Sequence, residues 1–368
     1  TSHTGSLPRP PDLVDLYIRK GQGQPVDAEL EAAARASMQD TIRRQKEAGI
    51  DIGNNGEQQR EAFFLYVRNR MTGFGGSWTR PPRGDVDRYP IYKATLQQEA
   101  ARTAMVSARD GLPTAIGDIA YADPAAIENE CADFRRTLDA MDRPFAEPFM
   151  TAPSPGIVAA AMRNDHYPTR DAYLSALGEA LRVEYEAIVR NGFLLQLDCP
   201  DLAMERHFTW HDRPLNEFLE FVEAVTRTIN AALKNIPKEK VRLHVCWGNY
   251  EGPHDQDIPL EKVLAAILRA RPATILFEAA NPRHEHEWIV WRDAKLPADK
   301  KLAPGLIDTC SNYVEHPELI AQCDVVDICL PTHLHLEFAM KAIAAGRALL
   351  VEKPVAQTSG DAMKIYEA

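Results

Sequence analysis

The chain has 368 residues, 45% of them hydrophobic, and a formal net charge of −11. That is enough apolar material for one large barrel or two smaller domains. An acidic chain without a long basic run is a poor match for nucleic acid or an anionic membrane, and no stretch approaches the roughly 18 uninterrupted apolar residues of a membrane helix.

In chain order, the opening Thr1-Ser2-His3-Thr4-Gly5 has neither the basic region nor the apolar core of a signal peptide. Without an initiator Met it reads as processed or truncated. Asp27–Glu47, rich in Ala, Glu and Arg, reads as a helix closed by Gly49. A first short strand is expected at Gly49–Ile52. Phe74–Ala101, rich in Pro, Gly, Arg and aromatics, reads as a long loop or excursion over a site. Further strands are expected at Pro144–Met150, Phe193–Leu197, Val241–Val245, Thr274–Phe277 and Leu302–Ile307. Helical spacing marks Asp171–Arg190 and Leu215–Leu233 between them. The six cysteines, at 131, 199, 246, 310, 323 and 329, are too scattered for a disulfide framework. The expectation is a cytoplasmic protein with reduced thiols.

This strand–helix alternation predicts a parallel α/β fold. No G-x-G-x-x-G turn is present to announce a doubly wound sheet. Polar residues instead recur just after apolar runs: Asn54–Glu57, Thr151, Asp198, His244–Asn249, Glu278 and Asp308. In a (β/α)8 barrel these positions converge on the C-terminal face, where such folds keep their sites.

Within this set, His244 and Cys246 stand two apart on a strand and so share a side. Imidazole and thiolate together suit Zn²⁺; a buried cysteine beside a hydrogen-bonded histidine is the alternative. Glu278 ends an apolar run and needs a partner, either a metal or a neighbouring cation. Asp198 and Glu57 lie at predicted strand ends, where they would either cap the next helix or hold an ammonium group.

In order along the chain, Thr4-Gly5-Ser6-Leu7-Pro8-Arg9, Gly56-Glu57-x-x-Arg60, Met150-Thr151-Ala152-Pro153, Gln196-Leu197-Asp198-Cys199-Pro200, His244-Val245-Cys246 and Glu278 resemble segments of the cobalamin-independent methionine synthase family. The resemblance covers residues 1–322 and implies a zinc-binding TIM barrel. The run from His244 to His254, HVCWGNYEGPH, is closer to a subgroup resembling epoxyalkane:coenzyme M transferases. The resemblance implies His244, Cys246 and Glu278 as zinc ligands, and Ser6, Glu57 and Asp198 as substrate-binding residues. It places Asp308 and Cys310 in the catalytic segment, where Cys310 replaces that family's histidine. The implied reaction is methyl transfer from 5-methyltetrahydropteroyltriglutamate to homocysteine or a related thiol, or thiol addition to an epoxide. The implied partners are a small-molecule thiol and an alkyl donor.

From Cys323 the pattern changes. Asp324-Val325-Val326-Asp327-Ile328-Cys329-Leu330-Pro331, and later Glu352-Lys353-Pro354, resemble part of the nucleotide-binding domain of Gfo/Idh/MocA-type oxidoreductases. Residues 323–368 therefore read as a partial Rossmann-like fragment without the glycine turn that meets a pyrophosphate. No cofactor-binding residues are assigned to it. The barrel would lack its native last strand and its fourth ligand. Asp324–Leu330 could stand in for that strand, with Cys329 as surrogate ligand, or form its own small βαβ unit. An NAD(P)-dependent oxidoreductase and an inactive truncated barrel are the competing readings.

Overall fold

The computed structural model describes residues 1–81, 84, 86–103, 111–250, 252–281, 283–308, 325–328, 348–351 and 363–364. The helices are α1 (Pro11–Gly21), α2 (Asp27–Glu47), α3 (Pro90–Thr103), α4 (Pro124–Ala140), α5 (Pro155–Ala161), α6 (Arg170–Arg190), α7 (Leu215–Ala232), α8 (Leu260–Arg269) and α9 (Trp288–Asp293). The strands are β1 (Phe74–Trp78), β2 (Leu112–Ala115), β3 (Phe149–Pro153), β4 (Leu194–Cys199), β5 (Val241–Val245), β6 (Thr274–Glu278), β7 (Lys301–Gly305), β8 (Val325–Ile328) and β9 (Ala348–Val351).

Strands β3 to β7 form one parallel sheet in sequential order, each joined to the next through helices. Side-chain caps start several of these helices. Ser154 accepts from the Ile157 amide at the head of α5, and Thr169 accepts from the Ala172 amide at the head of α6. In α7, Phe218, Phe221, Val222, Val225 and Ile229 recur at helical spacing and are buried. They join one contiguous core with Leu195 and Leu197 of β4 and Leu243 of β5.

The N-terminal segment is tied to this sheet. Ser2 bridges Ile52 in parallel, and the Phe149 amide donates to the Gly53 carbonyl at 3.0 Å. Gln196 Nε2 donates to the Thr4 carbonyl at 2.6 Å, and Arg242 to Ser2 Oγ at 3.0 Å. The chain start therefore lies against side chains of β4 and β5. Among the described residues no helix is long and apolar enough to cross a membrane.

Several expectations are corrected. Gly49–Ile52 contributes a single bridge at Ile52 rather than a strand, because its backbone polar groups are taken by the chain terminus and the run into β3. Phe74–Ala101 is not a structureless excursion: it holds β1, paired antiparallel with β2, and most of α3. The β3 and β7 strands are displaced by a few residues from the expected Pro144–Met150 and Leu302–Ile307. Among the described residues, β8 does not join the β3–β7 sheet as a stand-in eighth strand. Within Asp324–Leu330, β8 pairs in parallel with β9 in a separate two-stranded sheet. Two apolar runs about 20 residues apart satisfy each other's backbone, as a crossover unit does. Cys310, Cys323 and Cys329 lie outside the described residues.

Candidate functional site

The C-terminal ends of β4, β5 and β6 bring Asp198, His244, Cys246 and Glu278 together. In the parallel register Asp198 stands opposite His244, and His244 Nδ1 lies 3.0 Å from Asp198 Oδ1. The same carboxylate oxygen accepts from Gln196 Nε2 at 2.9 Å, and Gln196 Oε1 accepts from Arg242 at 2.6 Å. A carboxylate can only accept from a ring N–H, so Nδ1 carries the proton and Nε2 is left for another partner. Cys246 also lies close to the ring. Burial works against the charged imidazole, but hydrogen bonds to Asp198 and Cys246 prevail and raise His244 to about 10. Cys246 Sγ also accepts from the Gly248 amide at 3.2 Å.

Glu278 closes the group at the end of β6. Its Oε1 is buried without a hydrogen-bond partner, and the nearest cationic atom is His284 Nε2 at 3.8 Å. Burial raises its pKa against the pull of His284, Arg283 and His244. A buried carboxylate oxygen left without a donor is costly. A cation shared with His244 and Cys246 would satisfy it, and the S, N, O donor set suits zinc.

Glu57 sits beside this group on a tight turn with φ +57°. It accepts from Thr151 Oγ1 at 2.7 Å, while its other oxygen is buried without a partner. Burial, then the nearby charge of Asp198, raises its pKa. Arg60 does not reach into the site. It donates to the Thr151 carbonyl at 2.8 Å and pairs with Glu130 at 2.9 Å, so it fixes the residue that holds Glu57. Gly5 allows the close approach: its φ is +128°, and a Cβ there would stand 2.5 Å from Thr151 Cγ2 and 3.4 Å from Glu57 Oε1. Ser6 follows it and is exposed. Asp308 accepts from Asn281 Nδ2 at 3.3 Å, in the segment after β6. Thus Glu57, Asp198, His244, Cys246 and Glu278 form one linked group, with Ser6 beside it through Gly5, and Asp308 bonded to Asn281.

Sequence reading missed a second polar group next to this one. His207, His254, Asp257 and His284 meet behind Trp247, whose ring centroid is 4.7 Å from that of His284. The one signal available was the histidine content of the loops after β4, β5 and β6.

Fold and site together describe a parallel α/β protein that gathers acids, imidazole and thiol at the C-terminal ends of consecutive strands. In sequence the chain is similar to methionine synthases. It is 26% identical over 251 residues to a methionine synthase from Pyrococcus furiosus, covering 68% of this chain and 62% of that protein. It is 24% identical over 344 residues to one from Thermococcus kodakarensis, covering 91% and 84%. The structure of a B12-independent methionine synthase from Shewanella sp. W3-18-1 superposes with TM-score 0.61 at 18% identity, covering 99% of this chain and 95% of that one. The C-terminal part matches a different family, the GFO_IDH_MocA oxidoreductases with an NAD-binding Rossmann fold, over residues 277–368. That match begins inside β6, upstream of the expected junction at 323.

Proposed function

We propose that the chain is a zinc-dependent thiol alkyltransferase of the cobalamin-independent methionine synthase type. It would transfer a methyl group from a methylated folate to homocysteine or a related thiol. Residues 1–322 would form a TIM barrel lacking its native last strand, and 323–368 a partial Rossmann-like fragment. The observation that carries the reading is a His244 ring fixed through Nδ1 on Asp198, with Cys246 close by, beside the unpartnered buried oxygen of Glu278.

His244, Cys246 and Glu278 would hold the metal, which when bound lowers the pKa of the acceptor thiol so that a thiolate is available at neutral pH. Asp198 fixes the ring tautomer, the role an outer carboxylate plays for a ligating histidine. Asp198 lies close enough to Glu57 to disfavour its charge. An ammonium group between them would relieve that repulsion and supply the donor Glu57 lacks. An amino-acid thiol carries such a group; coenzyme M does not.

The test is metal analysis of the purified chain with a screen of homocysteine, coenzyme M and glutathione as acceptors. About one equivalent of zinc in this site, and homocysteine alkylation lost in Cys246→Ser, are expected. Unchanged zinc stoichiometry and activity in that variant would refute the assignment.

A further inference from the structure

His207 follows β4, His254 and Asp257 lie in the segment after β5, and His284 follows β6. All four side chains are buried. His207 Nδ1 lies 2.8 Å from Asp257 Oδ1, and His254 Nδ1 lies 2.9 Å from Asp257 Oδ2. The ligand atoms of His207, His254 and Asp257 all fall within 4.8 Å of one another. Burial would raise the Asp257 carboxyl, but the imidazoles of His207, His254 and His284 hold it far below the usual carboxylate range.

The outer contacts of these side chains are unusual for a purely structural cluster. The remote nitrogens of both rings are held by one residue: His207 Nε2 is 3.0 Å from the Tyr250 hydroxyl, and His254 Nε2 is 3.1 Å from the Tyr250 carbonyl. A carbonyl only accepts, so His254 Nε2 carries a proton and its Nδ1 is the nitrogen a metal could take. Asp257 Oδ2 accepts from His284 Nε2 at 2.9 Å, and His284 Nδ1 is held in turn by Glu287 at 2.9 Å. Asp257 Oδ1 faces His207 and also lies 3.1 Å from His254 Nδ1. His207 Nδ1, although close to that oxygen, is off the line of a hydrogen bond and is fully buried without a proper partner.

We propose that His207 Nδ1, His254 Nδ1 and Asp257 Oδ1 form a second cation site, for a divalent transition metal of the zinc class. Two imidazoles and a carboxylate suit such an ion. Each ligand has the outer hydrogen bond that ligating side chains use to fix tautomer and direction. Ligand atoms of a common zinc, with bonds of about 2.0–2.2 Å, stand roughly 3–3.5 Å apart. The imidazole–carboxylate pairs therefore open by only a few tenths of an ångström as the metal displaces the proton between them. The ion would tie together the loops after β4 and β5, and through His284 the loop after β6. His284 Nε2 also lies 3.8 Å from Glu278 Oε1, so this tie borders the site described above. The inference does not depend on the proposed reaction.

The test uses the full chain, stripped by chelator and titrated with Co²⁺, in wild type, Cys246→Ala, and Cys246→Ala combined with His207→Gln or with Asp257→Asn. Far-UV circular dichroism checks that each variant is folded. Wild type should bind two equivalents and Cys246→Ala one, with visible cobalt bands but no near-ultraviolet thiolate charge-transfer band. Both double variants should bind at least about 100-fold more weakly. Folded Cys246→Ala protein that takes up no cobalt overturns the second site and leaves the alkyltransferase reading standing. So does one equivalent retained in both double variants. One equivalent in wild type that carries no thiolate band, survives Cys246→Ala and is lost in the double variants would support the second site and remove the His244–Cys246–Glu278 assignment instead.

Discussion

Asp198 offers the sharpest separation of geometry from charge. Its Oδ1 is the acceptor for both His244 Nδ1, at 3.0 Å, and Gln196 Nε2, at 2.9 Å. Asp198→Ala leaves His244 Nδ1 without an acceptor in a buried site and Gln196 Nε2 with the Thr4 carbonyl alone, at about 1–3 kcal/mol for a donor hydrogen not rescued by water. It also frees the His244 ring to rotate. Losing the group that orients a ligating histidine weakens metal binding about 10–100-fold, or about 1.4–2.7 kcal/mol. Asp198→Asn keeps an oxygen that can accept both donors and removes only the charge. Its zinc affinity should fall by about tenfold and its stability by less than about 1 kcal/mol. The assay is competition for zinc against a chromophoric chelator at fixed pH, with denaturant unfolding of the same samples. The expected order is wild type, then Asn, then Ala. Zinc affinity of folded Asp198→Ala within about twofold of wild type would refute the claim that this contact orients a ligand.

Asp201 is fully buried with Oδ2 unpartnered, and burial raises its pKa from 3.8 to about 7 against the pull of the Ser154 hydroxyl. A carboxyl with a raised folded pKa contributes stability that is fully present below about pH 4 and lost as pH rises through about 7. At about 1.4 kcal/mol per pH unit the loss reaches a few kcal/mol. Asp201→Asn should therefore be more stable than wild type at pH 8 and similar at pH 4 in urea titrations; parallel pH profiles would count against this. Gly5→Ala puts a Cβ 2.5 Å from Thr151 Cγ2 at φ +128°. It should cost about 2–4 kcal/mol in thermal or urea unfolding and raise the KM for an amino-acid thiol, because Thr151 orients Glu57. An unchanged unfolding midpoint would show that Thr151 moves aside freely. The chain should show no NAD(P)H binding by fluorescence titration, since residues 323–368 contain no glycine turn for the pyrophosphate. Micromolar affinity would overturn that expectation.

Much of the site could be read along the chain because its chemistry is local. His244 and Cys246 share a side of β5 by the period of a strand, and Asp198 and Glu278 end apolar runs that can only be buried strands. Helix α2 matched its expected limits, since its buried Leu30, Ala34, Met38 and Ile42 repeat at helical spacing and Gly49, at φ +79°, ends it. What the sequence could not reveal depended on approach between distant segments. Asn55-Gly56 signals a turn, but the left-handed conformation of Glu57 within it is held by the Asn55 side chain and by Thr151 from a distant strand. The antiparallel pair β1–β2 joins two short runs, the first rich in glycine, that do not announce themselves. Pairing of β8 with β9 was decided by which backbone lay beside it, a choice that apolar β-branched residues leave open. The cluster of His207, His254, Asp257 and His284 is assembled from three loops, and each histidine alone looks like an ordinary polar loop residue. Strand periodicity is written in neighbouring residues, whereas convergence of loops at the end of a sheet is set by the register of the strands that carry them.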